Sequence, residues 1–109
     1  MATSYKVLGQ VNPAATTATT AYTVPSVTET VISTITAANL GAGPATYRIA
    51  VRPNGATLEN KHYVVYDASV GPQTTDTITI GMTLDATDVV TVYSSTATMA
   101  FNLFGSEIA

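Results

Sequence analysis

The sequence predicts an all-β fold: an antiparallel β-sandwich, Ig-like or jelly-roll-like, of about eight short strands with no substantial helix. Three observations predict it. The chain is rich in residues that suit a pleated surface, with 21 Thr and 12 Val among 109 residues. Such β-branched side chains lose χ1 freedom in a helix and pack well in a strand. Apolar and polar residues alternate with a period of two in the clearest stretches, as a half-buried strand requires. Gly, Pro, Asn and Asp recur as turn signals roughly every 8–12 residues, the spacing of a sandwich. With 109 residues there is room for a single domain, residues 1–109.

The elements follow in chain order. Residues 5–11 form a first strand, and residues 12–20, rich in Pro, Ala and Thr, read as a long crossover between sheets or as an extended arm. A short strand over 21–24 ends at Pro25, and another runs over 30–37. Residues 39–44 form a turn whose two glycines are free to take positive φ. In residues 46–52, Tyr47, Ile49 and Val51 face one way while Thr46, Arg48, Ala50 and Arg52 face the other. Pro53-Asn54-Gly55 is a strong turn, since Asn and Gly tolerate the left-handed region. Residues 56–60 suit one helical turn. Residues 62–67 and 89–93 carry large apolar side chains on both faces, which suits central strands or burial against a neighbouring subunit. Residues 76–84 alternate most regularly, with Ile78, Ile80, Met82 and Leu84 on one face. Gly71-Pro72 and Asp85-Ala86-Thr87-Asp88 are expected to close hairpins. Residues 94–96 separate the last two strands, and residues 98–104 place Met99, Phe101 and Leu103 on one face.

Composition excludes several functional classes. The chain has no Cys, so neither a disulfide framework nor a Cys-ligated zinc site is available. Only four residues are basic and the formal net charge is −3, so no basic face for nucleic acid is expected. No apolar run is long enough for a membrane-spanning helix. The opening residues lack the charged and apolar regions of a secretory signal, so none is expected. Charged residues make up 10% of the chain against about 25% for a typical domain. The surface is therefore expected to be mostly Thr, Ser and Ala, which suits packing against identical or related chains, the alternative being a Thr-rich face on a soluble monomer. Uncharged, β-prone windows such as 77–82 and 89–93 also need cover. A homo-oligomer is expected, and a closed ring or trimer would hide such edges.

Chemistry-bearing residues are sparse, and no catalytic, cofactor-binding or metal-binding residue is assigned. The single histidine, His62, has only Glu59 and Asp67 nearby, short of a metal shell. It reads as a polar residue at the start of a strand. No Ser lies in a nucleophile elbow. Asp85 and Asp88 bracket a turn, where such side chains usually bond their own backbone. Arg48 and Arg52 share the outward face of one strand, where a cross-strand or inter-subunit ion pair accounts for them most simply. Tyr63 and Tyr66 have odd spacing, so they are expected on opposite faces of their strand. Arg48, Arg52, Tyr63 and Tyr66 are the candidate interface residues, because Tyr and Arg anchor protein contacts. A sugar-binding platform would instead need its tyrosines clustered on one exposed face.

The order of elements over residues 34–107, about two-thirds of the chain, resembles a family of small virion structural proteins of tailed bacteriophages, including those of cyanobacteria. The resemblance rests on Ile35-Thr36-Ala37-Ala38-Asn39-Leu40-Gly41, Ala45-Thr46-Tyr47-Arg48-Ile49-Ala50-Val51 and His62-Tyr63-Val64-Val65-Tyr66-Asp67. It continues through Thr79-Ile80-Gly81-Met82-Thr83-Leu84, Asp88-Val89-Val90-Thr91-Val92 and the terminal Gly105-Ser106-Glu107. Many members place a Gly before the Asp of the penultimate strand, where this chain has Ala86-Thr87. The family has no catalytic residues to carry over. The resemblance implies a building block of the virion that touches the major capsid protein or tail and neck proteins. Capsid decoration is the first expectation; a tail, neck, baseplate or fibre component is the variant, and a carbohydrate-binding or adhesin module is a further alternative.

Overall fold

The alternation seen in the sequence becomes two facing antiparallel sheets. The computed structural model describes residues 2–109 and contains nine strands. These are β1 (Thr3–Val11), β2 (Thr19–Thr23), β3 (Glu29–Asn39), β4 (Ala45–Arg52), β5 (Tyr63–Val70), β6 (Thr74–Ile78), β7 (Met82–Leu84), β8 (Val89–Ser94) and β9 (Met99–Ile108). One sheet has the order β1-β9-β3-β6, with β7 also paired to β3. The other has the order β2-β8-β4-β5. The molecule is a β-sandwich, and among the described residues the only helical pieces are 3₁₀ turns at Pro53–Gly55 and Asn60–His62. The single turn suggested by the sequence at residues 56–60 is not formed as such: residues 56–59 are non-helical, and the second 3₁₀ turn begins at Asn60.

The core forms where the inward rows of the two sheets meet. Ile32, Ile35, Ala37, Met82, Leu84, Met99, Phe101 and Leu103 come from the first sheet. Tyr47, Ile49, Val70, Val90 and Val92 come from the second, with Tyr22 of β2 and Val24 just after it. Tyr47 and Phe101 meet edge to face across the layers, with ring centroids 5.9 Å apart. Burial of such aromatic and branched side chains is the main stabilising term.

Bulges explain the irregular stretches. Ser33 is an extra residue between Ile32 and Thr34 against β9, so Thr30 and Ile32 point inward and then Ile35 and Ala37 do. Opposite that bulge the partner chain breaks as well. Ile35 pairs with Ile78 and Ile32 with Met82, so two residues of β3 face three. The excess is absorbed at Gly81, with φ of 63°. The stretch 76–84 is therefore two strands, not one, and Ile80 leaves the inward row with 54% of its surface exposed.

Connections differ from expectation in the same way. Gly71-Pro72 lies between β5 and β6, and Asp85–Asp88 lies between β7 and β8, so both cross from one sheet to the other and neither closes a hairpin. Residues 12–18 also cross between sheets. There Asn12 donates to the carbonyls of Ala97 and Met99, and Thr16 N–H donates to the Ser94 carbonyl at 2.7 Å. In the 39–44 turn neither glycine has positive φ. The buried Asn39 side chain holds it, donating to the Gly43 and Gly71 carbonyls and accepting from Gly41 N–H and Thr98 Oγ1. Asn54 and Gly55 do take positive φ, as their residue types suggest. A central position, or burial against a neighbouring subunit, is expected for both strands with two apolar faces. β8 is central, whereas β5 is an edge strand with Val64 and Tyr66 exposed.

Candidate functional site

The outer face of the β2-β8-β4-β5 sheet carries the densest group of interaction-prone side chains. Its centre is Arg48 on β4, directly opposite Tyr93 of β8. Beyond Tyr47, pairing between β4 and β5 is irregular. Ala50 pairs with Tyr63 and Ile49 with Val65, so one β4 step spans two β5 steps. A second irregularity falls at Asp67, with φ of 51°. The first bulge reverses the side-chain parity between Tyr63 and Tyr66. The two rings therefore meet edge to face with centroids 4.9 Å apart, on one face rather than opposite faces as their spacing suggested.

Arg48 ties the group together. Its guanidinium lies 4.3 Å from the Tyr66 ring centroid and 4.2 Å from that of Tyr93. Its Nε donates to Asp67 Oδ1 at 2.6 Å and its Nη2 to Oδ2 at 3.3 Å. This is the cross-strand ion pair that the outward arginines suggested. The fork geometry matches the carboxylate. Hydrogen bonding to Asp67 raises the Arg48 pKa above its ordinary value, with the nearby carboxylate charge adding to it. Each cation–π contact is worth about 0.5–1 kcal/mol at an exposed site. Tyr66 remains 59% exposed, and a shallow cleft of about 470 Å³ is lined by Asn60, Tyr63 and Tyr66.

Three of the four candidate interface residues, Arg48, Tyr63 and Tyr66, thus belong to one cluster. Arg52 serves another task. Its Nε donates to Thr91 Oγ1 at 3.1 Å and its Nη1 to the Gly55 and Ala56 carbonyls, which fixes the 53–56 turn against the sheet. Tyr93 and Asp67 were not singled out from the sequence. Tyr93 becomes visible only through the β4–β8 register, and Asp67 only through the β5 bulge.

The other chemistry-bearing residues have structural partners. His62 is buried, and its Nδ1 accepts the Glu59 backbone N–H at 2.9 Å. Asp88 accepts from Asn54 N–H at 2.8 Å and Asp85 N–H at 2.9 Å, joining two loops. On the other sheet, Glu107 pairs with Lys6 Nζ at 2.6 Å and accepts from the Tyr22 hydroxyl, which also contacts Thr30. The bonds from Lys6 and Tyr22 lower the Glu107 pKa, while burial first and Glu107 second push Tyr22 up to about 12. Among the described residues, no group of three or more His, Cys, Asp or Glu is placed to hold a metal ion. No buried side-chain nitrogen or oxygen among them lacks a partner. No protein-family model matches the chain, and no curated protein matches it.

Proposed function

We propose that this chain is a non-enzymatic structural protein of a tailed-bacteriophage virion, a capsid decoration protein that joins neighbouring subunits by protein–protein contact. The observation that carries the reading is the preordered Tyr63–Tyr66–Arg48–Tyr93 group on an open sheet face. Tyr and Arg dominate the energetic centres of protein interfaces. Held in place before contact, these side chains lose little further freedom on binding. The low charge of the chain and the order of its elements support the same reading. Each 1,000 Å² of apolar surface buried would contribute about 25 kcal/mol before association costs. Summed over a shell, modest contacts of that kind resist internal pressure without any chemistry.

Cryo-microscopy of the purified virion tests this. Density for the chain on the capsid lattice is the expected result. A ring or fibre position would favour a neck, tail or baseplate role, and absence from the particle would refute the virion reading. Tyr66→Ala should lower the copy number per particle while the fold survives, its Tm falling by only several degrees through loss of the Arg48 and Tyr63 contacts. An unaltered copy number would remove this face from the interface. One observation favours a second reading, a carbohydrate-binding or adhesin module: Tyr63 and Tyr66 cluster beside Asn60 in an open cleft. Binding on a glycan array that Tyr66→Ala abolishes would favour it.

A further inference from the structure

We infer that the chain self-associates through β1, pairing antiparallel with β1 of a second copy about a two-fold axis at Tyr5. The inference deepens the structural reading above by naming one partner, yet its test needs no virion.

The four sheet edges differ in how they are guarded. The β5 edge is bulged twice, with Asp67 at positive φ. The opposite edge of the larger sheet is interrupted between β6 and β7 at Gly81. The β2 edge has five residues and lies against β1, where Gly9 approaches the Ala21 carbonyl so closely that a Cβ there would be 2.3 Å from its oxygen. Bulges, interruptions, short length and cover are the usual protections of an edge. Residues 3–7 of β1 have none of them: their register against β9 is unbroken and every one is exposed.

The ladder identifies which backbone groups are free. Ala2 and Ala109 exchange both hydrogen bonds, at 2.7 and 2.9 Å. Bonded pairs alternate along an antiparallel ladder, so Ser4 and Lys6 also face β9. The N–H and C=O groups of Thr3, Tyr5 and Val7 therefore point outward. An antiparallel copy centred on Tyr5 sets Tyr5 against its own counterpart, and Thr3 against Val7 of the second copy. All six outward groups of each copy then find partners.

Side chains and charge agree with that register. Tyr5, at 85% exposure, Val7 and Phe104 share one face, so pairing joins two apolar patches into one stripe. Lysine commonly guards an edge, but the only charge on residues 3–7 is Lys6, which turns to Glu107 at 2.6 Å. The crowded end of β1 near Gly9 lies beyond the paired segment. Like the closed ring or trimer suggested by the sequence, a two-fold pair would hide this edge.

Sedimentation of the full chain over a concentration series tests the inference, with a dimer expected. Val7→Pro removes a donor that the β1–β9 ladder does not use. It deletes two intermolecular hydrogen bonds per dimer and should weaken the pair about thirtyfold. Tyr5→Lys, which opposes like charges on an exposed site, is the second variant should Val7→Pro lose its fold. The chain has no cysteine, so Tyr5→Cys should form a disulfide dimer on mild oxidation while Ile80→Cys, exposed but away from the β1 edge, does not. A chain that stays monomeric throughout, or a dimer unaffected by these variants, overturns self-pairing. Were the chain monomeric in solution and Val7→Pro still lost from virions, the edge would take a strand of a different protein and this inference would fail.

Discussion

Gly105→Ala isolates a single contact on which the larger sheet depends. Gly105 lies in β9, between Lys6 of β1 and Ile32 of β3. A Cβ at this position would stand 1.9 Å from the Val31 carbonyl oxygen and 3.0 Å from both the Val31 carbonyl carbon and Ile32 Cα. All three are backbone atoms, so no rotamer change relieves the clash. Ordinary carbon–oxygen contact would need β3 and β9 to separate locally by more than about 1 Å. That movement strains the paired ends, Glu29 to Ile32 against Gly105 to Ile108. It also strains the inward Tyr22–Thr30–Glu107–Lys6 group. Overpacking in a well-packed site costs about 1–3 kcal/mol, and loss of a couple of ladder hydrogen bonds adds about 1 kcal/mol each. The expected total is about 3 kcal/mol or more, a fall in Tm of roughly 12–24 °C for a domain of this size. Urea denaturation gives the free energy and calorimetry the Tm. Gly43→Ala is the matched control, because nothing lies within 4 Å of its Cβ position and its φ is not positive. It should be neutral or stabilise by up to about 1 kcal/mol. A Gly105→Ala chain within about 0.5 kcal/mol of the parent would refute the close-approach argument.

Other outcomes test the remaining assignments. Ile80→Asp should leave stability within about 0.5 kcal/mol of the parent, because Ile80 sits in the break between β6 and β7; a large loss in urea denaturation would return it to the core. Phe101→Ala, at the centre of the core, should cost about 3–5 kcal/mol by the same measurement, and less than 1 would contradict its burial. The Tyr22 pKa is raised to about 12, so the unfolded chain sheds this proton first, and stability held below about pH 10 should decline as pH rises toward 12. Tyr47, raised by burial and by its bond to Asp76, acts in the same direction, and Tyr22→Phe should blunt the alkaline decline in a pH series of melts. His62→Ala, which removes the acceptor for Glu59 N–H, should cost about 1 kcal/mol, and an unchanged melt would make that cap idle.

Local patterning determined much of this protein. The Thr, Val and Ile content with period-two alternation specified strands, and Met99, Phe101 and Leu103 fall on the inward face as the alternation of residues 98–104 indicates. Pro53-Asn54-Gly55 specified its own turn, because αL tolerance is a property of Asn and Gly themselves. Tertiary structure decided the rest, because strand pairing is a relation between distant segments. An inserted residue in β3 at Ser33, opposed by the break at Gly81, put Ile80 in solvent despite regular alternation. A bulge in β5 put Tyr63 beside Tyr66 despite odd spacing, and the β4–β8 register supplied Tyr93 to Arg48. Each one-residue slip inverts which side chains share a face, and only the partner strand decides where the slip falls.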